Sequence, residues 1–154
     1  MCKFNELAVR IEERAVELYR RMREMTTDEQ IRRTVEGILQ TEEHHLRAMQ
    51  EMICPASLPE SPLKQVPESQ RFMDGIAARM VLVLDKIAEH LDGQDVCGAL
   101  TRFIELEMDM ILFYTHIAHY AAATVKSELI DSIVGDERKH WASLSELKQK
   151  LAAS

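Results

Sequence analysis

The sequence predicts an all-α fold: two pairs of long helices joined by a long, partly helical crossover. Three observations carry this. Glycine (five) and proline (four) are scarce in 154 residues, while Leu, Ala, Met, Glu and Arg, all good helix formers, are plentiful. Apolar residues recur three and four positions apart through several long stretches. All four prolines fall in one segment, CPASLPESPLKQVPES (54–69).

The first helix is expected from about Asn5 to Met25, with Ala8, Ile11, Ala15, Leu18, Tyr19 and Met22 on its apolar stripe. Thr27 reads as the cap of the second helix, with Gln30 three residues on as its capping-box partner. That helix continues to about Ile53, with Ile31, Val35, Ile38, Leu46 and Met49 inward. The proline segment reads as a loop. Residues 70–91 then carry Phe72, Ile76, Met80, Val83, Leu84, Ile87 and Leu91 at helical spacing, and are expected as a shorter crossing element. DGQD (92–95) breaks it. The third main helix is expected from about Val96 to Ala121, and the fourth from about Thr124 to Leu151.

A chain of this length is one domain (1–154) and buries roughly 68–70% of its unfolded surface. Its net charge of −7 disfavours nucleic acid and anionic membranes as partners. No apolar run approaches the roughly 20 residues of a transmembrane helix. The N-terminus, MCKFNELAVRIEERAVELYRRM, is charged throughout and does not read as a signal peptide. Cys2, Cys54 and Cys97 form no CxxC pair, so they read as reduced thiols in a cytoplasmic protein. Arg20, Arg21 and Arg23 read as a solvated helix end, where cations complement the helix dipole.

The inward polar residues follow from helix arithmetic at 100° per residue. In QTEEHHLRAM (40–49), Glu42 continues the stripe of Ile31, Val35 and Ile38, and His45 lies about 60° from it. Glu43 and His44 turn outward. In GDERKHWASL (135–144), Glu137 and His140 repeat the pair on the stripe of Ile130, Val134, Trp141 and Leu144. Glu107 sits among Phe103, Ile104, Met110 and Ile111, with Tyr114 seven residues on. Glu12 sits among Ala8, Ala15 and Tyr19, and Tyr19 is again seven residues on. Glu13, Glu17 and Glu105 point outward, as does His116, while His119 lies off the stripe and His90 falls in the crossover.

One offset links these sets. Glu12 and Glu107 are 95 apart, as are Tyr19 and Tyr114, Glu42 and Glu137, and His45 and His140. Between 3–54 and 98–149 this shift leaves six identities, and the other two are Ile38/Ile133 and Glu51/Glu146. Identity is low, but the matches fall on the inward polar positions. The chain therefore reads as two pseudo-repeats with a crossover at 55–95. A single Glu-x-x-His is most simply a surface pair; two of them, on apolar stripes at one offset, read as ligands.

Four carboxylates on core stripes cost several kcal/mol each unless compensated. No inward Lys or Arg accompanies them. Two divalent cations would neutralise four carboxylates, and one imidazole per ion would complete an oxygen-rich set suited to Fe, Mn or Zn. The expected metal ligands are Glu12, Glu42, His45, Glu107, Glu137 and His140. Tyr19 and Tyr114 are expected to pack beside them and donate hydrogen bonds, and Met110 to fill the core beside Glu107.

Through IEERAVELY, QTEEHHL, LEMDMILFY and GDERKHW, the chain resembles the rubrerythrin-like branch of the ferritin-like superfamily over essentially its whole length. The resemblance implies a ferritin-like four-helix bundle holding two Fe ions in a Glu/Glu-x-x-His donor set. It further implies reaction with O2 or H2O2, oxidising ferrous iron or reducing peroxide, and a homodimer. Glu42 and Glu137 would bridge or chelate the metals with Glu12 and Glu107, and His45 and His140 would be terminal ligands. Two features depart from the family. The cysteine motif of the rubredoxin domain is absent, so catalysis would need a separate electron donor. Met110 stands where the family has a second glutamate, which puts ligand switching in doubt. An iron-holding or delivery protein without turnover is the alternative reading, and a metal-free helical adaptor a third.

Overall fold

A computed structural model describes residues 3–52, 67–121 and 127–153. They form five α-helices: α1 (Lys3–Met25), α2 (Glu29–Glu51), α3 (Pro67–Asp92), α4 (Val96–Ala121) and α5 (Ser127–Ala153). No strand occurs among the described residues. The segment around Cys54 and the expected start of the last helix at Thr124 lie outside them, as does Cys2; Cys97 is an exposed free thiol.

The α1–α2 turn is tight because its backbone groups find partners at once. Thr26 N–H donates to Met22 O, and Asp28 N–H donates to the Thr26 hydroxyl. Asp28, not Thr27, caps α2: its carboxylate accepts from Gln30 N at 2.8 Å and Ile31 N at 3.0 Å. The carboxylate both satisfies the free N–H groups and meets the positive end of the helix dipole. At the far end of this hairpin the Asn5 side-chain amide donates to Met52 O, so α2 ends where α1 begins.

α3 is not a shorter element. At 26 residues it equals α4 and spans about 39 Å at 1.5 Å per residue. The reason is geometric. Val96 and Cys97, at the start of α4, share a surface groove with Met25, Asp28 and Ile31, at the opposite end from the close of α2. The crossover therefore has to travel the length of the molecule. α3 begins at Pro67, so the proline segment ends earlier than 69; proline suits a helix's first position because the N–H it lacks has no partner there. α3 stops in DGQD, where Gln94 takes a φ of 58° and Asp95 caps α4 by accepting from Gly98 N at 2.8 Å. A Cβ on Gly98 would stand 2.2 Å from Asp95 Oδ2 and 2.3 Å from His90 Nδ1, so only glycine leaves room for the His90–Asp95 pair.

α1 packs on α2, α4 on α5, α2 on α5, and α3 lies against both α1 and α4. Between α1 and α4, Tyr19 stacks on Phe103 with ring centres 4.0 Å apart. The arginines near the end of α1 reach solvent as expected, and each also takes a surface ion pair on a neighbouring helix. Arg20 pairs with Glu43 at 2.8 Å and Arg23 with Glu36 at 3.0 Å, both on α2, while Arg21 reaches Asp92 on α3 at 2.5 Å. Asp109, buried on α4, takes Arg79 of α3 at 2.9 Å.

Some expected orientations differ, and Glu43 and Glu105 are half-buried rather than exposed. Phe72 is 47% exposed, because Met73 takes the inward place and the Phe72 ring lies sideways against His116 at 4.9 Å. His116 is correspondingly half-buried rather than exposed. Trp141 is 37% exposed: it lies 100° past His140, at the rim of the stripe that Leu144 continues inward. No described helix is long and apolar enough to cross a membrane.

Candidate metal centre

α1 contributes Glu12, α2 Glu42 and His45, α4 Glu107, and α5 Glu137 and His140. The four glutamates have no exposed surface, and the histidines expose 1% and 5%. The helical stripes explain the placement, since each glutamate interrupts an apolar line and is carried inward with it. Met110, one turn from Glu107, is buried beside them, whereas Glu13, Glu17 and His44 face solvent.

The six side chains form two overlapping groups. Glu12, Glu42, His45 and Glu137 make one, and Glu42, Glu107, Glu137 and His140 the other. In each, one ligand atom per residue lies within 4.8 Å of all the rest. Glu42 and Glu137 belong to both. The shift of 95 exchanges one group for the other.

Both imidazoles turn Nδ1 toward the carboxylates. His140 Nδ1 stands 2.7 Å from Glu42 Oε1, 3.3 Å from Glu137 Oε2 and 3.5 Å from Glu107 Oε2. His45 Nδ1 stands 3.2 Å from Glu137 Oε1 and 3.7 Å from Glu42 Oε2. The two rings are 5.9 Å apart. The tyrosines cross between helices: Tyr19 of α1 donates to Glu107 of α4, and Tyr114 of α4 donates to Glu12 of α1.

Charge crowding is visible in the proton affinities. Burial, reinforced by the charges of Glu42 and Glu137, pushes Glu12 well above the carboxylate range. Burial and Glu137 do the same to Glu107. Burial works to raise Glu42 too, but His140 and His45 outweigh it and hold it low. Burial works to lower His45, yet Glu137 and Glu42 push it up to about 11. His140 is raised likewise against burial, by Glu107, Glu137 and Glu42. Tyr19 and Tyr114 are raised by burial and by the carboxylates they touch. The cluster thus gathers protons in place of other positive charge.

Even so, six of its buried atoms lack a hydrogen-bond partner: Glu12 Oε2, Glu42 Oε1 and Oε2, His45 Nδ1, Glu107 Oε2 and Glu137 Oε1. An orphaned buried polar atom costs about 1–3 kcal/mol. Several of these atoms stand close to one another without hydrogen-bond alignment, as donors converging on a shared cation do. Either of the two overlapping groups could hold a metal ion.

One carboxylate breaks the pairing. Asp136 Oδ2 lies 3.5 Å from Nε2 of His45, on the side of the ring away from the cluster, and also takes Lys139 at 2.7 Å. The shift of 95 puts Thr41 in its place, so His140 has no such carboxylate from that position. Sequence reasoning passed over Asp136 because it sits off the apolar stripe. The available signal was its place directly before Glu137, on the flank that faces α2.

Comparison of the chain with family models, with curated proteins and with solved structures gives no match.

Proposed function

We propose that this chain is a ferritin-like di-iron carboxylate protein of the rubrerythrin-like kind, which reacts with O2 or H2O2. The observation that carries the reading is the pair of overlapping four-residue groups sharing Glu42 and Glu137. Glu12 and His45 would hold one ion, Glu107 and His140 the other, and the shared glutamates both. Two dications offset four carboxylates and occupy the donor atoms that otherwise lack partners. Oxygen donors with one imidazole per ion suit iron or manganese, with zinc as a redox-inert substitute. Bound iron would supply the redox chemistry, passing electrons to oxygen or peroxide.

The chain's own residues do the rest. Tyr19 and Tyr114 fix the orientation of Glu107 and Glu12 by donating to one oxygen of each, which leaves the other oxygen free. Tyr19, Phe103 and Met110, all buried, keep bulk water from the α1–α4 side. Reducing one peroxide to water consumes two electrons and two protons, so turnover needs a separate electron donor.

Metal content of protein purified without added metal, together with the optical spectrum of an oxo-bridged ferric pair, tests the reading directly. Glu42→Ala and Glu137→Ala should each abolish the second ion and most of the first. Unchanged or improved stability with no metal lost would leave a metal-free adaptor instead. Stopped-flow oxidation of the ferrous protein separates enzyme from store. Rapid peroxide-driven turnover with a donor supports the oxidoreductase, and stoichiometric uptake without turnover assigns iron holding.

A further inference from the structure

The centre is enclosed unevenly. On the α1–α4 side the Tyr19–Phe103 stack fills the interior, and α3 packs across both helices outside it. α2 and α5 have no such cover among the described residues. Between them runs a groove of about 480 Å³ whose lining includes His140, the most exposed of the six candidate ligands. Two other surface grooves, one at the Met25–Ile31 end and one between α1 and α3, touch none of the six.

Sequence keeps the α2–α5 groove open. Its walls carry Thr34, Gly37 and Thr41 from α2 and Ser143 from α5, where larger side chains would meet. A Cβ added at Gly37 would find nothing within 4 Å. The charges along the groove are paired: Lys139 with Asp136 and Lys150 with Glu146, each at 2.7 Å, and Arg33 with Glu29, just outside it, at 2.9 Å. The hydroxyls of Thr34 and Ser143, with the oxygen of Thr41, whose proton goes to Gly37 O, are what such walls offer an incoming molecule.

We propose that the α2–α5 groove is the path by which small, uncharged, hydrogen-bonding molecules of the size of hydrogen peroxide reach the metal centre, arriving on the His140 side, and that Gly37 and Ser143 keep it open. This rests on the di-iron reading.

A helical side chain covers the turn that precedes it. Phenylalanine at 143 therefore lies over Lys139 and His140, while phenylalanine at 37 narrows the groove from the facing wall. Gly75 on α3 is the control, since a Cβ there also meets nothing within 4 Å and the position is remote from the groove. Ser143→Phe, Gly37→Phe and Gly75→Phe are compared after iron loading. Two rates are read: single-turnover oxidation of the ferrous protein by hydrogen peroxide, and nitric oxide binding to the ferrous protein, followed optically without turnover. Expected are unchanged iron content and ferric spectrum in all three, with both rates at least tenfold lower in Ser143→Phe and Gly37→Phe alone. Iron-loaded groove variants that react as fast as Gly75→Phe overturn the access path and leave the centre standing. If Ser143→Phe fails to fold, the same comparison is decided by Gly37→Phe. A wild-type protein that takes up no iron overturns the di-iron reading, and this path falls with it.

Discussion

At the scale of single residues, the cluster is a set of groups that would each be unstable alone in the core. Glu12 and Glu107 keep one oxygen on a tyrosine and leave the other without a partner. Removing either hydroxyl takes from that carboxylate its one well-aligned hydrogen bond. Tyr19→Phe and Tyr114→Phe are therefore each expected to cost about 1–3 kcal/mol, measured by urea unfolding of the metal-free protein. These residues were readable from sequence because each falls on an apolar stripe and because the offset of 95 repeats. Asp136 and Asp109 were not. Their partners, His45 and Arg79, come from other helices, and single-helix periodicity carries no information about a neighbour's register.

At the scale of elements, the helices were largely visible and their ends were not. The expected α4, Val96 to Ala121, matches the observed helix, because Asp95 and the DGQD break mark its start chemically. The cap of α2 fell one residue late of expectation, since Thr27 and Asp28 are both good caps and only the turn geometry chooses between them. Asp28→Ala is expected to cost about 1 kcal/mol in thermal or urea unfolding, while Thr27→Ala changes little. Gln94 holds a φ of 58°, in the region that glycine adopts freely. Gln94→Gly is accordingly expected to stabilise the fold by about 0.5–1 kcal/mol in the same assay. The length of α3 was underestimated because the loop's prolines hid its start and because its duty, carrying the chain from one end of the molecule to the other, depends on where α2 and α4 lie.

At the scale of the whole molecule, protons and any bound metal would compete for one set of donors. The folded affinities of His45, His140, Glu12 and Glu107 for protons are raised. Raised groups stabilise the fold below their unfolded values and lose that contribution as pH climbs through the folded ones. For His45 the window runs from about 6.5 to about 11. Glu42 acts in the opposite sense, but only as pH falls below the carboxylate range. The metal-free protein is thus expected to melt at progressively lower temperature between pH 7 and pH 10. The loaded protein should show the reverse trend from pH 5 to pH 8, because cations must displace those protons and bind tighter as they leave. At free metal a hundredfold above Kd, each bound ion is worth about 2.7 kcal/mol, or about 5–10 °C in Tm. Calorimetry of both forms across this range checks the two slopes. The overlapping groups carry one more consequence. Glu12, Glu42 and His45 need Glu137 from beyond the crossover, and Glu107, Glu137 and His140 need Glu42 from before it. A chain severed between α2 and α3 would yield two fragments, neither owning a full coordination sphere. Ions held there would serve as a latch between the hairpins, and capture of metal would report that the two have met.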